Sequence, residues 1–235
     1  MSLAELVDGS KAAIYRAHGL LQSGKYSDIV EMLEPVIGGL MAQRQKMPGI
    51  LLVNFCLAQA LNNCSAANYA LGRLELAVDG WEQARDLYVL AATTPMQEVK
   101  KQSMEHGFSK YDAGEPEYFT LLRTEALAAI ASSSLGLSQA LQQLGRHEEA
   151  GKNWERAKAA YSILFDVSNE TPIPAGALTK AAIAFANMCV KDGELEKARG
   201  LYFLAAAAQH ELTYSDTLEI RRGLSTTARM MVMRN

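Results

Sequence analysis

His18, His106, His147 and His210 are the imidazoles of this 235-residue sequence, and their spacing limits the acid–base or metal chemistry open to it. No two stand four residues apart, the spacing that lets one helix face present both to a metal ion. His210 and Glu211 are neighbours in sequence, but adjacent residues on a helix point to different faces. His147, beside a turn, reads as a packing residue. Glu148 and Glu149 read as a solvated helix start, where the helix dipole favours carboxylates. Cys56, Cys64 and Cys189 are odd in number and lie in apolar stretches. That pattern reads as reduced, packed thiols. No HExxH, CxxC, GxSxG, phosphate-binding or dinucleotide-binding glycine motif occurs. The residue types point away from an enzyme, and neither a metal nor a cofactor is expected.

What remains is recognition. Arg221, Arg222, Arg229 and Arg234 form one basic cluster, while the formal net charge is -3. Nucleic-acid binders concentrate an excess of positive charge; none is present, so this cluster reads as a solvated helix face. Met230, Met231 and Met233 read as the packed side of the same helix. The start of the chain lacks the apolar core of a secretion signal. The longest apolar run, 50–60, is interrupted by Asn54 and Gln59 and is too short for a bilayer. A cytoplasmic protein without membrane insertion is expected.

The elements that must position these groups are helices. Hydrophobic residues make up 49% of the chain, much of it Ala and Leu, which lose little side-chain entropy in a helix. Stretches 49–94 and 117–171 contain no proline, which suits helices better than short strands. Residues 71–88, LGRLELAVDGWEQARDLY, and 144–161, LGRHEEAGKNWERAKAAY, are identical at nine of eighteen positions. Ala77, Trp81, Ala84 and Tyr88 fall at i, i+4, i+7 and i+11, one stripe of a helix. Residues 192–205 and 23–36 repeat the skeleton. Gly24, Gly72, Gly145 and Gly193 then mark four tight turns, where glycine accepts a positive φ. Between the central copies, Thr94-Pro95 reads as a helix cap followed by its first residue, with Gly107 ending that short helix. A polar loop follows, then a long helix from about 117 to 143. A last helix, 216–233, is expected to be capped by Ser215 or Asp216.

The pattern of turn Gly, then Ala, a bulky aromatic and Ala at offsets five, nine and twelve, resembles the tetratricopeptide repeat family. Gly145, Ala150, Trp154 and Ala157 carry it, as do Gly72, Ala77, Trp81 and Ala84. The glycine spacings of 48, 73 and 48 depart from that family's 34-residue period. The resemblance implies an all-α chain whose antiparallel helix pairs stack as a right-handed superhelix with a C-terminal capping helix. It implies one domain over 1–235, with pairs near 11–37, 48–92, 117–165 and 174–208 and a cap at 212–235.

In such stacks the first helix of each pair lines a concave groove. Carried over by position, that implies a peptide-binding set of Lys11, Tyr15 and His18, then Gln59, Asn62, Asn63 and Tyr69. Gln139 and Gln143 follow in the third pair, and Lys180, Asn187 and Lys191 in the fourth. Amide side chains both donate and accept, which suits the backbone of an extended peptide. Some family members grip a carboxyl terminus with five polar groove residues. The matching positions here are Ile14, His18, Asn63, Ser132 and Gly136, and only Asn63 agrees, so that clamp is not expected. The expected function is a protein–protein interaction scaffold that holds a peptide or helix of a partner. Two alternatives stand beside it: a self-assembling structural component, in which the chain is a homo-oligomer, and a phosphopeptide reader of the 14-3-3 type.

Overall fold

The computed structural model describes residues 2–106, 116–168, 175–207 and 214–234. Ten helices are described, with no strand among those residues: α1 (Leu3–Gln22), α2 (Tyr26–Lys46), α3 (Leu51–Ala70), α4 (Leu74–Thr93), α5 (Met96–His106), α6 (Pro116–Gln143), α7 (His147–Ser168), α8 (Ala175–Asp192), α9 (Leu195–Ala207) and α10 (Tyr214–Arg234). The chain divides into two compact units, 1–157 and 158–235.

One device closes four helix pairs. Gly24, Gly72, Gly145 and Gly193 have φ of 71°, 74°, 75° and 77°. In each case the residue after the glycine donates its N–H five residues back, as Arg73 does to the Asn68 carbonyl at 2.8 Å and Arg146 to Leu141 at 2.9 Å. The glycine itself donates three residues back. These two bonds form a Schellman cap, which uses up carbonyls that a helix end leaves orphaned and needs a left-handed residue to do it. Pairs α1/α2, α3/α4, α6/α7 and α8/α9 result.

In the first unit, α3 is the central element. Its sequence is apolar nearly all round, and Leu51 to Ala58 are all buried, as expected of a helix covered on every side. It packs with Val7, Ile14 and Ala17 of α1, Ile29, Leu33 and Leu40 of α2, Ala84, Leu87 and Tyr88 of α4, and Leu122 and Ala126 of α6. Two close approaches fix the crossing of these helices. A Cβ on Gly80 of α4 would lie 2.2 Å from the Ser65 Oγ of α3, and one on Gly136 of α6 would lie 2.7–2.9 Å from the Trp81 ring. Trp81, Leu137, Leu141 and Ala150 then join α4, α6 and α7 in one apolar cluster.

The α2–α3 corner and the short α5 depend on each other. Gln102 of α5 accepts the Leu51 N–H at 2.8 Å and donates to the Gly49 carbonyl at 2.7 Å. A side chain 51 residues away thus takes the place of the N-cap that Ile50 cannot supply. Thr94 differs from expectation: its hydroxyl donates back to the Leu90 carbonyl at 2.7 Å, closing α4, while the Pro95 carbonyl accepts the Glu98 and Val99 N–H groups of α5. Gly107 lies outside the described residues.

The second unit has its own core. Phe185 of α8 stacks with both Tyr161 and Phe165 of α7, with centroids 5.5 and 5.9 Å away. Lys158 pairs with Asp192 at 2.6 Å and Glu194 at 3.1 Å. Helix α10 packs on both α8 and α9. It begins at Tyr214, so Ser215 and Asp216 stand within the helix rather than before it; Asp216 in the first turn suits the positive end of the helix. Met233 is 77% exposed and does not pack, because it falls on the face of α10 turned away from α8 and α9. His147 is exposed as well.

Candidate peptide-binding cleft

The first unit carries a cleft of 530 Å³ between α1, α3, α4 and α6. Its floor is apolar and comes from each helix in turn: Ile14 from α1, Phe55 from α3, Tyr88 from α4, and Leu121 and Leu122 from α6. The rim is polar: Lys11, Tyr15 and His18 on α1, Gln59, Asn62 and Asn63 on α3, and Glu125 on α6. The helical spacing explains the division. On α1, residues 11, 14, 15 and 18 share one face at i, i+3, i+4 and i+7, and on α3 so do 55, 59, 62 and 63.

The rim residues differ in how free they are. The Asn62 carbonyl accepts from the Ser133 hydroxyl of α6 at 3.0 Å, and the Asn63 amide donates to the Ile14 carbonyl of α1 at 3.5 Å. Both asparagines therefore tie α3 to its neighbours as well as facing the cleft. Tyr15 is 84% exposed at the mouth. Gln59 is half-buried, and no hydrogen bond occupies its amide among the described residues. Glu125 lines the cleft and remains exposed. Desolvation raises its pKa above the usual carboxylate range, opposed by the charge of Lys11. The Tyr88 phenol is pushed up by burial first and by the nearby Glu125 carboxylate second.

The remaining residues of the proposed groove lie elsewhere. Tyr69 and Gln143 meet further along α3 and α6, the amide donating to the phenol oxygen at 2.6 Å, and Gln139 is exposed on α6. Lys180, Asn187 and Lys191 belong to the second unit. Both lysines are exposed, whereas Asn187 accepts from the Tyr202 hydroxyl of α9 and donates to Glu219 of α10 at 2.6 Å. Asn187 thus serves α8, α9 and α10 internally.

The repeated unit is now in view: two antiparallel helices with a left-handed glycine between them, and nine residues after that glycine an aromatic in three pairs (Trp81, Trp154, Tyr202) and Leu33 in the first. The pairing is tetratricopeptide-like. No family model matches the sequence, and no curated protein matches it. Solved structures overlap it weakly. BtubC (BKLC) from P. vanneervenii has a TM-score of 0.35 at 13% identity, covering 100% of this chain and 93% of that one. A putative kinesin light chain with nearly identical TPR-like repeats from Podosopora anserina gives 0.31 at 17% identity, covering 85% and 94%. A point variant of that protein gives 0.32 at 17%, covering 85% and 93%.

The floor residues Leu121 and Leu122 and the rim residue Glu125 were not legible in the sequence as cleft members. They follow the segment 107–115, whose length hides which face of α6 meets α3. The spacing of Leu121, Leu122 and Glu125 on α6 was a signal only once that helix had been placed. Buried thiols take no part here. Cys56 is pushed up to about 11 by burial, which keeps it protonated and unreactive at neutral pH. Among the described residues no three His, Cys, Asp or Glu side chains converge on a possible metal position, and no described helix is long and apolar enough to cross a membrane.

Proposed function

We propose that this chain is a protein–protein interaction scaffold that receives a short peptide or helix of a partner in the cleft between α1, α3, α4 and α6. The observation that carries this reading is the combination of an apolar floor with the amide of Gln59, which has no hydrogen-bond partner among the described residues. An apolar pocket supplies side-chain burial, and an amide can pair with a peptide's N–H or C=O. Lys11 and His18 face the cleft together with the Glu125 carboxylate. This mixed charge favours an uncharged or amphipathic segment over a phosphorylated one, whose recognition needs convergent cations.

The test is selection of a random twelve-residue peptide display library on the purified chain, followed by fluorescence polarisation with the enriched peptides. Enrichment of peptides with spaced apolar residues is expected. Gln59→Ala removes one hydrogen-bonding group and should weaken them by about 3- to 10-fold, the equivalent of about 1 kcal/mol. Tyr15→Ala should weaken them too. Peptides that bind both variants as tightly as the parent, or a selection that enriches nothing, would defeat the proposal.

A further inference from the structure

Helix α10 occupies the place of a first helix in a pair, and no described helix covers the face that a second one would cover. The aromatic nine residues after the turn glycine in two of the pairs shows this. Trp81 follows Gly72 by nine and lies against Gly136 of α6, while Tyr202 follows Gly193 by nine and lies against Gly223 of α10, where a Cβ would meet its ring at 2.1–2.5 Å. Gly223 therefore corresponds to Gly136, and α10 to α6. On α6, Ser134, Ser138 and Leu141 are buried, and α7 packs there through Ala150. The residues at the same offsets on α10 are Arg221, Ser225 and Ala228, and all three are exposed.

That open face is basic. A depression of 360 Å³ is lined by Arg221, Arg222, Ser225, Thr226, Arg229 and Met230, and none of the three arginines has an ion pair among the described residues. Exposed Leu218 and Val232 flank it. The same chain carries the complementary surface. Helix α2 shows an exposed row of Asp28, Glu31 and Glu34, likewise without ion pairs among the described residues, followed by Gly38 and Ala42. At 1.5 Å per residue, Asp28 to Glu34 spans about 9 Å and Arg222 to Arg229 about 10.5 Å. Laid antiparallel, the carboxylates face the guanidinium groups, and Leu218 falls opposite Gly38, where a Cβ would meet nothing within 4 Å.

We infer that α10 of one copy docks on α2 of a second copy, head to tail, through this charge pairing. Such a contact joins two different patches. It leaves one of each open on the pair, so growth into longer assemblies follows unless a ring closes.

The experiment is sedimentation equilibrium on the full chain across a concentration series at low salt and again at about 0.5 M NaCl, where screening shortens to a few ångströms. At low salt the weight-average mass should rise to at least about twice that of one chain, and at high salt it should return to that of one chain. Arg221→Glu/Arg229→Glu and Glu31→Arg/Glu34→Arg should each be monomeric alone, because each sets like charges against each other. Mixed together they should associate again, since the reversed α10 of one meets the reversed α2 of the other. All four positions are exposed, and thermal unfolding by circular dichroism confirms that each variant is folded. A parent chain that stays monomeric at every concentration in low salt overturns the inference. So does association that survives both charge reversals, or a mixture that remains monomeric.

Discussion

Gln102 offers the sharpest test of how the cleft is held. Helix α3 carries Gln59, Asn62 and Asn63, yet its first turn has no capping side chain of its own. The Leu51 N–H is an orphan donor of a helix start, and Leu51 is only 2% exposed, so water cannot replace a lost acceptor. Gln102→Ala removes that acceptor and also the donor to the Gly49 carbonyl. A buried group left unsatisfied costs about 1–3 kcal/mol, and two adjacent losses place the total near the upper half, about 2–3 kcal/mol. For a chain of this size that lowers Tm by about 4–12 °C. The local readout is amide hydrogen exchange: the Leu51 N–H should lose protection by about 30-fold or more, since each 1.4 kcal/mol is tenfold. Gln102→Glu separates the two bonds. Its carboxylate can still accept from Leu51, but it cannot donate to Gly49 when ionised, and it faces Glu98, which now accepts from Gln102 at 3.0 Å. Leu51 protection should therefore survive in the Glu variant while global stability falls. A Gln102→Ala chain with an unchanged melt and a still-protected Leu51 amide would refute the trans-capping argument.

Three further outcomes follow from the packing and electrostatics. Gly136→Ala places a Cβ 2.7–2.9 Å from the Trp81 ring and should destabilise by about 1–3 kcal/mol in urea unfolding, with partial recovery on adding Trp81→Phe. Gly151→Ala in α7, where a Cβ meets nothing within 4 Å, should instead be neutral or gain about 0.5–1 kcal/mol from helix propensity. Glu125 has a folded pKa raised by desolvation, so its contribution to stability is greatest below its unfolded pKa and is lost as pH rises through the folded value. Glu125→Gln should accordingly raise Tm at pH 7 and flatten the fall in stability between the unfolded and folded pKa. A Tm–pH profile parallel to that of the parent chain would show that desolvation does not dominate at this carboxylate.

The contrast between legible and hidden features has a physical origin in how local each constraint is. The four turns could be read because a positive φ is nearly restricted to glycine, so Gly24, Gly72, Gly145 and Gly193 announce themselves without tertiary context. The helix stripes could be read because Ala77, Trp81, Ala84 and Tyr88 must share a face wherever the helix lies. The polar rim on α1 and α3 follows from the same periodicity. Gln102 could not be read, because a cap supplied from 51 residues away leaves no mark around Ile50. Nor could Asn187 be told from Asn62: both are amides on a first helix, and only the neighbouring helix decides whether the group faces a cleft or bonds to Tyr202 and Glu219. The same reasoning applies to the arginines of α10. As a sequence they are a charged helix face and nothing more. Their meaning changes only when Tyr202 seats on Gly223 as Trp81 seats on Gly136, because that contact identifies which side of α10 the repeat would have covered. A repeated contact thus locates an uncovered surface that neither charge nor periodicity could locate alone.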